Sequence, residues 1–237
     1  MRAALLALPM LACTPSASSL APPSQAAWTA ARAELSALRA TEPTGPHVEN
    51  VRVSMHEPRS GRTVQARGAV AVDPHKAMRM VLIGPGGATA LDVWVTLDRW
   101  RFAVPALGVL RRGGIDSAAS ERLPIGFFRW WFLGPLDGRL LTAHERGASA
   151  TLVLRQGEAT VTLTSDRERT FRATRREAGN VERLAWEGAG LRAAAGDRAV
   201  YEQESTGVRV EVTVESTSTD APDPAAFTDP DAQGGTR

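Results

Sequence analysis

Cysteine is nearly absent from this chain. Cys13 is the only one among 237 residues, so no intrachain disulfide can form and nothing beyond residue 13 offers a thiol nucleophile. Lysine is as scarce: all of the 28 basic residues except Lys76 are arginine, which leaves amine chemistry a single candidate with nothing nearby in sequence to tune it. The four histidines, His47, His56, His75 and His144, lack the close spacing that builds a metal site on a helix or strand, and each is expected in a loop or on the surface. No Gly-x-Ser-x-Gly elbow is present. Gly84-Pro85-Gly86-Gly87 lacks the Lys and Ser/Thr of a phosphate loop and is expected to be a hairpin turn. No catalytic residue, cofactor or metal is therefore expected. With a formal net charge of +2, the arginines alternate with acids and apolar residues and form no stripe interleaved with exposed aromatics, which argues against a nucleic-acid partner.

What the chain does have is one dense run of rings. Leu123 to Leu136, LPIGFFRWWFLGPL, holds Phe127, Phe128, Trp130, Trp131 and Phe132, five of the twelve Trp and Phe residues. Left in water they would present on the order of 750–1250 Å², more than soluble monomers usually expose as one patch. The apolar run is roughly nine residues against the roughly twenty a membrane span needs, so something else must cover it. Pro124 suits a first helical turn, Gly134-Pro135 suits a stop, and Arg129 is the only charge between them. The stretch predicts a short helix, apolar on nearly every side, with two readings open: an ordinary core helix, or a plug inside a curved sheet greasy enough to hold a lipid.

At the amino terminus, MRAALLALPMLA combines one Arg, an apolar run and a small residue before Cys13, the layout of a secretion signal. It resembles a bacterial lipoprotein signal, which implies cleavage before Cys13, acylation of that cysteine and stable attachment to a membrane. Met10 stands where the lipobox usually has Leu. A fortuitous cysteine in a general signal peptide, or a start codon placed too late, is the other reading. Thr14 occupies the position of an inner-membrane retention Asp and so leans toward the outer membrane. Residues 14 to 24, rich in Pro, Ser and Ala, read as a tether.

From Ser24, a plausible N-cap, Trp28, Ala31, Leu35 and Leu38 recur at helical spacing and predict one amphipathic helix. The period then changes to two. Strands are predicted at Val48 to Met55, Gly61 to Val72, Lys76 to Ile83 (Met78, Met80 and Leu82 on one face), Ala88 to Leu97 (Leu91, Val93, Val95 and Leu97 aligned) and Trp100 to Val104, where Trp100, Phe102 and Val104 alternate. After a loop through Arg111-Arg112-Gly113-Gly114 and the aromatic helix, strands resume at Arg139 to His144, Ala148 to Arg155, Ala159 to Thr164, Thr170 to Arg175, Val181 to Trp186, Ala199 to Gln203 and Gly207 to Glu215. In the last, Val208, Val210, Val212 and Val214 alternate with polar residues, which marks one wet and one dry face. Asp166, Glu168 and Glu177 with Arg167, Arg169, Arg172, Arg175 and Arg176 are expected to form a solvated face.

The fold class that follows is mainly β with flanking helices: a strongly curved antiparallel sheet, or incomplete β-barrel, with an N-terminal helix and an apolar plug or lid helix. The expected organisation is a signal peptide at 1–12, a lipidated tether at 13–23, the half-barrel at 24–215 and a mostly disordered acidic tail at 216–237, where from Glu215 onward five acidic residues face Arg237 alone.

The order of lipobox, helix, hairpins, apolar helix and further hairpins, with Asp73-Pro74-His75-Lys76-Ala77-Met78-Arg79-Met80 running into the Gly84 turn and the late Phe227 to Pro230 segment, resembles the Lol-type lipoprotein carriers and receptors, LolA and LolB. The resemblance implies a hydrophobic cavity that holds acyl chains and no catalysis. It places Met78, Met80, Leu82, Leu91, Val93, Val95, Trp100, Phe102, Phe127, Phe128, Trp130 and Trp131 around that cavity. The expected ligand is a lipid or acylated protein, and the expected location the cell envelope, with the protein anchored through Cys13 and facing the periplasm. An anchored protein is more like the receptor, whose membrane-inserting loop would fall at Leu107 to Leu110. The alternative is an envelope scaffold of the same fold, its cavity filled by its own side chains and its partners other envelope proteins.

Overall fold

The alternating rows are collected into one sheet. The computed structural model describes residues 24–58, 61–115, 117, 123–146, 149–165, 170–188 and 190–232; the expected signal peptide, Cys13 and the tether lie outside them, as do Asp166 to Arg169. Helix α1 (Gln25–Arg39) leads into β1 (His47–Glu57), β2 (Arg62–Asp73), β3 (Ala77–Ile83), β4 (Thr89–Thr96), β5 (Arg99–Val104) and β6 (Val109–Gly114). After α2 (Ile125–Leu133) come β7 (Arg139–Arg146), β8 (Ser149–Gln156), β9 (Ala159–Ser165), β10 (Thr170–Glu177), β11 (Asn180–Glu187), β12 (Arg198–Gln203) and β13 (Arg209–Ser218).

All 13 strands form one antiparallel sheet in the order β6-β5-β4-β3-β2-β1-β13-β12-β11-β10-β9-β8-β7. Two meanders are thus joined through the β1–β13 pair, and β6 and β7 are left as free edges. Helix α2 carries the chain from one free edge to the other. Its backbone lies against β2, β3 and β4, yet its rings reach Tyr201 of β12 and Trp186 of β11. On a flat sheet β3 and β12 would stand four strand spacings, roughly 19 Å, apart. A nine-residue helix touching both therefore requires the sheet to curl around it.

Two local features accompany the curl. The β1–β13 register slips between Asn50 and Val51, as at a bulge that bends a strand. On β2, Gly68 lets the backbones close up, because a Cβ there would overlap the Val81 carbonyl oxygen and lie 2.8 Å from the Cα of Leu82.

The core follows the period-two rows: Met78, Met80 and Leu82 on β3, Leu91, Val93 and Val95 on β4, and Val208 to Val214 in and beside β13 are buried with the α2 rings in one cluster. Ser24 caps α1 by accepting from the Ala27 N–H at 3.2 Å. At the other end of α1, Arg39 donates to the carbonyls of Leu136 (2.9 Å) and Gly138 (2.7 Å), tying the helix to the α2–β7 connection.

Two expectations need correction. The segment holding Arg111 to Gly114, expected as a loop, is edge strand β6, paired along its length with β5. Its exposed arginines and glycines mask the strand signal, a composition that suits an edge. The tail expected to be disordered from residue 216 is instead structured as far as residue 232: β13 runs to Ser218, and a short 3-10 turn (Pro224–Phe227) follows, capped by Asp223. The outer face of β4 and β5 holds it down. Trp94 Nε1 donates to the Phe227 carbonyl at 3.1 Å, and Asp231 takes ion pairs from Arg101 (3.0 Å) and Arg112 (3.2 Å).

Candidate functional site

Helix α2 has two faces of different use. Phe127, Phe128, Trp131 and Phe132 turn into the sheet: Phe127 stacks on Tyr201 with centroids 4.5 Å apart, and Trp131 meets Trp186 at 4.7 Å and Phe171 at 6.5 Å. The remaining stripe, Ile125, Gly126, Arg129, Trp130 and Leu133, borders a cleft of about 540 Å³. That volume falls within the range of small-molecule sites, about 300–1000 Å³. The Trp130 indole is held edge-on by donating to the Pro135 carbonyl at 3.2 Å.

The opposite wall comes from the inner face of β10–β12, where the inward rows change character. Phe171 and Ala173 lead to Arg175, Trp186 and Leu184 lead to Glu182, and Tyr201 leads to Gln203. Strand register sets Arg175 opposite Glu182 and Glu182 opposite Gln203, so three polar side chains form a row across three strands. Glu182, 3% exposed, accepts from Arg175 and from the Tyr201 hydroxyl, both at 2.8 Å, and Arg175 pairs with Glu177 as well. Burial works against the Arg175 charge, but Glu182 and Glu177 outweigh it and hold the guanidinium above its ordinary value. Burial, then the adjacent Glu182 carboxylate, push the Tyr201 hydroxyl far upward, so it remains a proton donor. Gly126 lets α2 rest on this network, since a Cβ there would lie 2.6 Å from Glu182 Oε1. The rim is completed by Leu97, Ile115, Asp137, Gly138, Glu158 and Asn180, among others.

Chemically this is a cleft with one apolar wall and one polar row. Glu182 is engaged by two donors and is not free to act as a base. Among the described residues no group of three or more His, Cys, Asp or Glu is placed to hold a metal.

A second cavity, about 30 Å³, is bordered by Glu42, His47, Glu49, His75, Trp131 and Trp186. Here the histidine expectation shifts: His47 is half-buried and 3.3 Å from Glu49, and His75 faces Asp137 at 3.6 Å. Burial raises the Glu42 carboxyl, whose Oε1 has no hydrogen-bond partner among the described residues. A third hollow, about 300 Å³, runs between α1 and β7–β8, beside Ala31, Glu34 and His144.

All twelve residues expected around a cavity are buried in one cluster. Trp130 borders the large cleft and Trp131 the small cavity; Met78, Met80, Leu82, Leu91, Val93, Val95, Trp100, Phe102, Phe127 and Phe128 border none of these three spaces and pack against one another. The cleft's polar wall went unnamed in the sequence. Arg175, expected on a solvated face, has a side chain only 15% exposed, because it continues the inward row of Phe171 and Ala173. Leu107 and Leu110 lie at the tip of the β5–β6 hairpin, 74% and 49% exposed.

No family model and no curated protein matches the sequence. Solved structures do. A LolA superfamily protein from Nitrosomonas europaea superposes with a TM-score of 0.58 at 13% identity, over 84% of this chain and 97% of that one. A DUF1329 family protein from Desulfovibrio piger gives 0.54 at 11% identity, over 86% and 98%. The fold is LolA-like. In this LolA-like half-barrel α2 spans the hollow, its backbone along β2–β4 and its rings against β10–β12, and the cleft lies beside its Ile125, Arg129 and Trp130 stripe.

Proposed function

We propose that this chain is a non-catalytic, envelope-located lipoprotein, anchored through Cys13, that accepts an acyl chain of a lipid or acylated protein in the cleft between α2 and β10–β12. The observation that carries the reading is the cleft's pairing of an apolar wall (Leu97, Ile115, Ile125, Trp130 and Leu133) with a polar row, at a volume suited to a small amphiphile. Each methylene moved from water to that wall contributes about 0.8 kcal/mol, so a modest stretch of chain supplies micromolar affinity. The LolA-like fold of the Nitrosomonas protein supports the same reading.

The test is displacement of a fluorescent fatty acid from delipidated protein. Wild type should bind it, and Trp130→Asp, which puts a charge on the apolar wall, should weaken binding at least tenfold. If neither protein binds, the carrier reading fails.

A second reading has its own observation: Phe127, Phe128, Met78 and Met80 are wholly buried, so the hollow's deep part is filled by the protein itself. An envelope scaffold of this fold would be isolated with a stoichiometric protein partner and no lipid in native mass spectrometry.

A further inference from the structure

The charged residues bordering the large cleft are Arg129, Asp137, Glu158, Arg175, Glu177 and Glu182. Five are already paired. Arg175 holds Glu177 and Glu182, Glu158 meets Arg155 at 3.2 Å, and Asp137 faces His75 at 3.6 Å. Arg129 alone makes no ion pair or side-chain hydrogen bond among the described residues, although it is half-buried on the cleft stripe of an otherwise apolar helix. It stands four residues from Ile125 and from Leu133 and beside Trp130, so one helix face presents apolar surface and a guanidinium together.

We infer that Arg129 is a head-group subsite, and that the preferred occupant of the cleft is an anionic single-chain amphiphile, a fatty carboxylate or monoacyl phosphate. The inference rests on the acyl-chain reading above and adds the ligand's charge to it. The physical reason is partial burial. A guanidinium kept from bulk water but given no counter-ion offers five donors in a planar fork matched to carboxylate or phosphate oxygens, and the anion restores the solvation that burial removed. Arg175 cannot take this part, because its donors are committed to two carboxylates. The polar row of Glu182 and Gln203 then serves as a boundary: an uncompensated anion is repelled from that wall and held on the α2 side, where Leu97, Ile115 and Leu133 receive the chain.

The experiment compares four ligands on delipidated protein by calorimetry: dodecanoate, dodecyl phosphate, uncharged dodecanol and inorganic phosphate. Wild type should prefer the two anionic amphiphiles over dodecanol by about tenfold, the low end expected of a charge-assisted pair that remains partly exposed, and the preference should shrink as salt rises. Arg129→Gln should remove the preference by weakening the two anionic amphiphiles far more than dodecanol, and Arg129→Lys should keep part of it. Equal binding of the three amphiphiles by wild type and Arg129→Gln overturns the head-group assignment and leaves the acyl-chain reading intact. Binding of none of them overturns both. Inorganic phosphate binding as tightly as dodecyl phosphate overturns the inference in favour of a soluble anion. Because Arg129 makes no ion pair or side-chain hydrogen bond among the described residues, its substitution should leave the unfolding midpoint in place, which separates lost binding from lost structure.

Discussion

Gly126 of α2 sits directly against the carboxylate of Glu182: a methyl group at that position would lie 2.6 Å from Oε1. This contact is what brings the helix and the polar row of β10–β12 into register. A side chain on the helix at this point would compete with the Tyr201 hydroxyl for the space around Oε1.

Gly126→Ala is therefore a test of how rigidly Glu182 is held. Alanine favours a helix by about 1 kcal/mol over glycine, yet Arg175 and Tyr201 prevent the carboxylate from retreating. The expected outcome in urea unfolding is a net loss of about 1–3 kcal/mol. In a Tyr201→Phe background, which releases Oε1, the loss should shrink. Strict additivity of the two changes would show that Gly126 does not answer to the carboxylate.

Gly68→Ala should cost about 3 kcal/mol, near the upper end for overpacking, because the atoms it meets belong to the β3 backbone and cannot rotate away. Gly45→Ala, with open space around its Cβ, provides the control and should be close to neutral. Thermal unfolding of both reads the difference.

Around the small cavity, stability should depend on pH in one direction. Burial raises the Glu42 carboxyl, so the folded chain binds that proton more tightly than the unfolded chain; the cost of charging it is absent in acid and complete above the folded value. Glu42→Gln should stabilise the protein at about pH 8 and change nothing at about pH 3. For His47, burial opposes the charge, but the bond to Glu49 and the Gly45 carbonyl raise the ring above its ordinary 6.5. Its contribution is full below that value and is lost as pH rises through the folded one, so His47→Gln should destabilise at about pH 5 and not at about pH 9. Denaturant midpoints across this range check both signs.

Truncation after Ser218 should uncover Trp94, now 4% exposed. The loss of its burial is worth about 2–3 kcal/mol. Arg101 keeps Asp92 at 2.9 Å, so no buried charge is orphaned. The emission difference between the truncated chain and its Trp94→Phe version should move to longer wavelength than in the full chain; an unshifted difference would show that the tail does not shield the ring.

Much of this architecture is legible in the chain, and where it is not the reason is long-range. The rows Met78-Met80-Leu82 and Leu91-Val93-Val95 mark their strands because burial on one face repeats every second residue. Strand β6 does not, since an exposed edge has no face to bury. The row Phe171-Ala173-Arg175 places Arg175 on the dry side of β10 by position alone, but a charge in a strand is ordinarily assigned to water until a partner is known. Glu182 becomes that partner only through the β10–β11 register. The cleft is harder still, because its volume depends on how α2 lies across the hollow, with Phe127 and Trp131 against β11 and β12 and the Ile125, Arg129 and Trp130 stripe left beside the polar row. Arg129 is visible as the lone charge in an apolar run; that no described residue offers it a counter-ion emerges only in the assembled fold.

The strand order has a mechanical consequence. Since β6 and β7 do not pair with each other, the domain has a hem that parts without breaking any ladder of backbone bonds, and β1–β13 on the far side serves as its spine. Widening it disturbs the ring packing of α2, the grip of Arg39 on Leu136 and Gly138, and the bond from the His75 N–H to the Leu133 carbonyl at 3.0 Å. Separation of the two edges thus comes at the expense of soft, short-range contacts, and the same contacts re-form when the edges close.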